Sequence, residues 1–161
     1  MAKRFAKLCC AFVALALTIS LSSSFATETD AESGVARVRS MYSMPETIAR
    51  IKEDIAAKGI KFFAEIDQTK LAQDAGIELR PSTLLIFGNP PLGAQFLTSN
   101  PDAGLDWPVR LLVRQDESGT VWAVYSDFDW IAHRFGVKDR EAQFRMASMV
   151  ISSITASVGS K

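Results

Sequence analysis

The sequence predicts an α+β fold in which helices pack on one face of a largely antiparallel sheet. The clearest indication is a hairpin, because two strand-like segments at 109–114 and 121–125 are separated by a Glu117-Ser118-Gly119 turn. A long helix is also predicted from about Asp139 to Val158, where apolar residues recur at helical spacing. The resulting order, β-α-β-(α)-β-β-β-α, favours helices on one side of an antiparallel sheet.

Along residues 35–66 the spacing of the apolar residues changes from strand-like to helical and back to strand-like. Val35 to Tyr42 alternates between apolar and polar residues, as a half-buried strand does. Ser43 and Glu46 have capping-box spacing, which predicts a helix that Gly59 ends in a left-handed cap. Residues 60–66 alternate again and predict a second strand.

The middle of the chain contains a strongly apolar segment between two less regular ones. Asp67 is expected to cap a short helix that Gly76 ends. Thr83 to Phe87 is apolar enough to predict the most central strand of the sheet. Residues 88–104 are expected to be irregular, with one or two helical turns, and Asn89 is expected to cap them. The two prolines after Asn89 remove backbone N–H donors that a phosphate-binding loop needs.

The N-terminal segment resembles a secretory signal peptide. Its basic start leads into an apolar run at 8–21 and then to small residues ending in Ser24-Phe25-Ala26. The run is shorter than the roughly 20 residues that a membrane-spanning helix needs. We therefore predict cleavage near Ala26, a flexible tether over 27–33, and one domain over 34–158 in the periplasm or outside the cell, without a membrane span. Retention of the segment as an anchor is the alternative.

Export changes which chemistries the composition allows. Both cysteines, Cys9 and Cys10, lie in the predicted signal peptide, so the mature chain is expected to have no disulfide, thiolate metal site or cysteine nucleophile. The same segment contains three of the 18 basic residues and none of the 18 acidic ones, which leaves a formal charge of −3. That charge disfavours nucleic acid as a partner. No cofactor is expected.

Three segments carry a resemblance to a known family. They are Leu85-Ile86-Phe87-Gly88-Asn89-Pro90-Pro91-Leu92-Gly93, Leu105-Asp106-Trp107-Pro108-Val109-Arg110 and Tyr125-Ser126-Asp127. Through them the mature chain resembles the bacterial domain-of-unknown-function 302 family. The resemblance implies a compact α+β domain, an antiparallel sheet backed by helices, and a homodimer. Family members often carry a histidine before the glycine of the last loop, where this chain has Phe135, and its single histidine is His133.

Strand alternation predicts a sheet face with cationic and aromatic side chains opposite the core. It groups Arg37 with Arg39 and Arg110 with Arg114, and either Trp122 or Tyr125 could join them. We therefore predict a non-enzymatic dimeric domain that binds a small ligand or an envelope protein there, unless the face is only a dimer interface or solvated. The candidate ligand-binding residues are Arg37, Arg39, Phe63, Asn89, Arg110, Trp122 and Tyr125.

The alternative is an enzyme, although no catalytic residue is assigned. Asp127, Asp129 and His133 are the cluster with plausible metal-ligand types, and Asp127 and His133 would act with or without a metal. No second histidine or cysteine completes the set in the mature chain. Asp129 also has the position of an N-cap for a short helix over 130–135.

Overall fold

The computed structural model describes residues 27–159 of the 161-residue chain, so the predicted signal peptide lies outside the described residues. Six strands and five α-helices form within this part. In chain order they are β1 (Thr27–Asp30), β2 (Val35–Arg39), α1 (Met44–Ala57), β3 (Lys61–Asp67), α2 (Gln68–Asp74), β4 (Ser82–Gly88), α3 (Pro90–Ser99), a 3-10 helix (Pro101–Leu105), β5 (Val109–Gln115), β6 (Val121–Ser126), α4 (Phe128–Arg134) and α5 (Glu141–Ala156). None of these helices has the length and hydrophobicity that a membrane span requires.

The strands form one sheet in the order β1-β2-β6-β5-β4-β3, and every neighbouring pair is antiparallel. The predicted α+β class with an antiparallel sheet is therefore confirmed. The β5–β6 hairpin also forms as predicted, with Gln115 paired to Val121. The position predicted for β4 is wrong, because β5 and β6 are the two central strands and β4 lies next to the edge strand β3. The apolar side chains on both faces of β4 are explained by its having a neighbouring strand on each side, which does not require a position at the centre of the sheet.

The core lies between one face of the sheet and helices α1 and α5. From the sheet it includes Leu85, Leu111 and Val113, each of which is 0% exposed. Helix α1 contributes Ile51 and Ile55, which are 0% and 1% exposed. The apolar stripe predicted for the last helix is buried against them, as the burial of its members shows: Phe144, Ala147, Ile151, Ile154 and Val158.

The segment predicted as a flexible tether contains a strand. Thr27 to Asp30 pairs with β2, and the turn closes where the backbone N–H of Gly34 donates to the carbonyl of Asp30 at 2.8 Å. All four residues of β1 are exposed, so the strand is held by backbone hydrogen bonds and buries no apolar side chain. Apolar alternation is the signal that predicts strands, and this edge strand lacks it.

The segment predicted to be irregular is mostly helical. Helix α3 and the 3-10 helix together occupy all but one of the residues from Pro90 to Leu105. The side chain of Asn89 accepts a hydrogen bond from the backbone N–H of Leu92 at 3.2 Å, so the predicted cap is present. Proline is compatible with a first helical turn, where its missing N–H has no intrahelical partner.

Two predicted caps differ in detail. Ser43 precedes α1 but makes no side-chain cap; instead the hydroxyl of Thr47 donates to the Ser43 carbonyl at 2.9 Å. Helix α4 is capped by Asp127, which accepts from the Trp130 N–H at 2.9 Å, so the assignment of this cap to Asp129 was wrong. Asp67 caps α2 as predicted, by accepting from the Lys70 N–H.

Candidate functional site

The sheet face opposite α1 and α5, which we call the open face, has an apolar centre. The pairing register places Val124, Leu112, Leu84 and Ile66 side by side across four strands. Each of these four side chains is half-buried, whereas the neighbours of Val124 and Leu112 along their strands, on the other face, are in the core. Neighbouring strands themselves account for this partial burial.

Beside this apolar strip lies a row of two arginines and a tryptophan, which we call the Arg-Trp-Arg row. Trp122 pairs with Arg39 of β2 on one side and with Arg114 of β5 on the other. Within residues 27–159, neither of these arginines forms an ion pair. Adjacent strands lie about 4.8 Å apart, so Arg39 and Arg114 occupy the positions on either side of Trp122 in the sheet.

The indole of Trp122 is fixed by a carboxylate in the β5–β6 turn. Its Nε1 donates to Oδ2 of Asp116 at 2.8 Å, and the Ser118 hydroxyl donates to Oδ1 at 2.7 Å. The hydrogen bonds from Ser118 and Trp122 lower the pKa of the Asp116 carboxyl from 3.8 to about 2. Asp116 is therefore ionised near neutral pH and orients the aromatic member of the row.

The other two predicted arginines of this face have acidic neighbours. Arg37 lies opposite Glu28 of β1 in the strand register. Arg110 donates to Oδ1 of Asp106, whose Oδ2 accepts from Arg134 at 2.8 Å. The Asp106 side chain is only 4% exposed, so this carboxylate joins two elements and neutralises part of their charge. Arg110 thus has a direct acidic partner, which the two arginines of the Arg-Trp-Arg row lack within residues 27–159.

Tyr125 does not lie on the open face. It pairs with Ala36 and Leu111, both core residues, and is 7% exposed. Burial raises the pKa of its phenol above the usual value of 10.0. Positions 122 and 125 differ by an odd number, so strand alternation allows only one of them on each face.

Phe63 lies at an irregularity of the edge strand β3, and Asn89 lies just beyond the end of β4. The β3–β4 register shifts between Phe62 and Ala64, so Phe63 occupies an irregularity, and its ring meets Trp107 edge-on with centroids 6.4 Å apart. The shift also carries Glu65 toward α1, where Lys52 donates to it at 2.6 Å. Asn89 is used as a helix cap.

The metal-ligand alternative is not assembled by the fold. Asp127 caps α4, while Asp129 and His133 are exposed on that helix. In the part of the chain that the structure describes, no three His, Cys, Asp or Glu side chains lie close enough together to hold a metal ion.

A cavity that the sequence did not indicate lies on the helix-packed side, and we call it the helix-side pocket. It has a volume of about 350 Å³ and is bounded by α3, α5 and the ends of β4 and β5. Its walls include Phe87, Phe96 and Trp107, with Met146 and Met149 at the mouth. These residues come from four separate segments, so no local pattern groups them. The signal that the sequence offered was the spacing of Met146 and Met149, which are three residues apart on the predicted last helix and are both exposed in the structure.

Comparison with known proteins identifies a family and partial relatives. The model of the family "Domain of unknown function DUF302" matches residues 36–153. The chain is 38% identical over 103 residues to "Fluoride-specific ion channel FluC 1" of Brucella suis, which covers 64% of this chain and 41% of that protein. FluC 1 of Brucella abortus and FluC 2 of Brucella melitensis match at the same identity, with 38% of each covered. The chain thus spans about two fifths of the length of these relatives.

A solved structure shares the fold. The uncharacterized conserved protein DUF302 from Bacillus stearothermophilus superposes with a TM-score of 0.71 at 20% sequence identity. The match covers 78% of this chain and 98% of that chain. At this identity the likeness establishes a common architecture and nothing about a shared ligand.

Proposed function

The chain belongs to the DUF302 family, and from that premise we propose that it is a non-enzymatic binding domain whose open face holds an amphipathic anion. The observation that carries the proposal is the Arg-Trp-Arg row, in which two arginines without ion pairs within residues 27–159 flank Trp122 in the strand register. The row lies beside a half-buried apolar strip.

The chemistry of the row matches both parts of such a ligand. Guanidinium groups donate paired hydrogen bonds to carboxylate, sulfonate or phosphate oxygens, and these charge-assisted bonds are stronger than neutral ones. The faces of Trp122 and the side chains of Leu112 and Val124 offer apolar area to the remainder of the ligand. Asp116 already occupies Nε1 of Trp122, so the indole contributes its apolar surface and not a hydrogen bond.

The cellular setting belongs to the same proposal. The signal-like segment at residues 1–26 supports export to the periplasm or the outside of the cell. The chain is similar to one part of proteins named fluoride-specific ion channels. Because a channel lies in a membrane, this similarity supports a location near a membrane. The homodimer stays a prediction, which native mass spectrometry of protein recovered from the periplasm can test together with cleavage near Ala26.

A titration with 8-anilinonaphthalene-1-sulfonate, an amphipathic anion, tests the proposed face. We expect the double variant Arg39→Gln/Arg114→Gln to bind the dye about tenfold more weakly than the wild type, because two charge-assisted contacts are lost. Arg145→Gln is the matched control, since Arg145 is exposed on α5 and its side chain is 66% accessible. It should leave the affinity unchanged.

Two results would contradict the proposal. Equal dye affinity in the wild type and the double variant would place the dye elsewhere. A double variant that changes the oligomeric state but not the dye affinity would identify the open face as a contact between copies of the chain. Circular dichroism of each variant shows whether the fold is retained.

A further inference from the structure

The helix-side pocket has the size of a small-molecule site. Its volume is about 350 Å³, whereas a cavity of about 150 Å³ already accommodates benzene. Phe87 and Phe96 belong to its walls and are 2% and 4% exposed, so these walls are continuous with the core. A molecule of about two rings is therefore compatible with this volume.

The polar groups of the pocket favour an uncharged ligand. Lys58 is its one charged lining residue, and Nζ of Lys58 donates to both carboxylate oxygens of Asp54 at 2.6 Å. The side-chain oxygen of Asn89 is engaged with the Leu92 N–H. Nε1 of Trp107 donates no hydrogen bond to another side chain or carbonyl in the described part of the chain, so an uncharged donor is present at the wall, as are the Asn89 amide nitrogen and the Ser153 hydroxyl.

Trp107 forms its wall only because position 93 has no side chain. A Cβ added at Gly93 would lie 1.8 Å from Nε1 of Trp107, and one at Gly88 would lie 3.3 Å from the same atom. Glycine inside a helix costs about 1 kcal/mol relative to alanine. Gly93 therefore destabilises α3 relative to alanine, but it allows the indole of Trp107 to pack closely against the helix.

The mouth of the pocket is built from flexible apolar side chains. Met146 and Met149 are 51% and 65% exposed, although both line the cavity. Methionine is unbranched and polarisable, so it adapts to ligands of different shape. Exposed apolar side chains around an apolar cavity are typical of interaction surfaces, which include ligand-binding grooves.

From these observations we propose that the helix-side pocket is a second binding site, which takes a small, uncharged and mainly apolar molecule of about two rings. The site is independent of the open face, because it lies on the helix-packed side and shares neither arginine of the Arg-Trp-Arg row. A single acceptor atom on the ligand would meet Nε1 of Trp107.

The uncharged dye N-phenyl-1-naphthylamine is the probe for this site. We expect fluorescence enhancement with the wild type, and a loss of affinity of about tenfold in Gly93→Ala, which displaces the Trp107 wall. Met149→Trp should block the mouth with a similar loss and is safe for folding because Met149 is exposed. Leu71→Trp is the matched control, since Leu71 is also an exposed helical residue, at 60%, but does not line the pocket.

Methionine methyl NMR locates the bound dye. With methyl-labelled methionine, the resonances of Met146 and Met149 should shift on titration, whereas that of Met41, 58% exposed and outside the pocket, should not. No dye binding, or binding unchanged in folded Met149→Trp, would overturn the proposal. Loss of binding in Arg39→Gln/Arg114→Gln with no shift at Met146 would also overturn it, because the dye would then occupy the open face.

Discussion

The open face and the helix-side pocket differ most clearly in how the fold covers them. Along β5, Leu111 and Val113 are 0% exposed under the helices, while Leu112 between them is half-buried on the other side. The same alternating strand therefore supplies the core on one face and an apolar surface without a helix on the other. Apolar residues on a strand are therefore fully buried only on the face that a layer of helices covers.

The two regions also differ in charge. The Arg-Trp-Arg row carries two arginines without ion pairs within residues 27–159, whereas the single charged residue of the helix-side pocket is paired with Asp54. The open face suits an anion and the pocket suits an uncharged molecule. If both proposals hold, the domain separates its ligands by charge.

The largest effect is expected from a pair of core and surface substitutions on β5. Leu111→Ala should lower the free energy of unfolding by about 3 kcal/mol, because it leaves a cavity in the packed core. Leu112→Ala should lower it by about 1 kcal/mol or less, because the open face lacks a covering layer. Urea denaturation of both variants measures this difference. Equal losses would mean that the open face is covered in solution, as in a dimer.

An intermediate effect is expected from salt. Raising sodium chloride from about 0.02 M to about 0.5 M should weaken binding of the anionic dye by about fivefold, because screening acts on exposed arginines. Binding of the uncharged dye should change by less than about twofold over the same range, since apolar burial does not depend on screening of charges. Fluorescence titrations at both salt concentrations measure the affinity of each dye. If salt weakened the binding of both dyes by the same factor, the two dyes would share one site.

The smallest effect concerns Asp116 and the orientation of Trp122. Because the folded-state pKa of Asp116 is lowered from 3.8 to about 2, its hydrogen bonds contribute stability above pH 3.8 that is lost as the pH falls through 2. The Nε1–H resonance of Trp122 should therefore titrate with a midpoint near pH 2. Trp122→Phe assigns the resonance and Asp116→Asn should abolish the titration. A midpoint near 3.8 would show that the indole is not held by Asp116.

Several elements could be predicted because their signals are local. Asp67 and Asn89 cap helices in the structure, and Gly59 has a positive φ of 65° where α1 ends. A cap needs only a side chain and a backbone N–H within the same turn, so neighbouring residues suffice. The prediction that Asp129 caps α4 is wrong because the helix begins at Phe128, which is buried together with Ile131, so Asp127 occupies the cap position.

Other features depend on contacts between distant segments. Strand β1 has no apolar pattern and exists because the β2 edge offers backbone partners. The register shift between Phe62 and Ala64 interrupts the strand alternation on which the prediction for Phe63 rests. A parity count would have separated Trp122 from Tyr125, and the apolar neighbours Val121 and Ala123 show which of the two lies inside.

The sequence by itself determined the α+β class, the antiparallel hairpin, the buried stripe of α5 and the arginines on one sheet face, since each follows from a period or turn within a short segment. Only the tertiary structure decided which arginines remain without an acidic partner and where a cavity forms. Asp106 binds Arg110 and also Arg134, which lies 28 positions from Asp106 in the sequence, and the pocket assembles residues from Lys58 to Ser153. Such contacts depend on how helices and strands pack, and no periodicity in one segment specifies the distance to another.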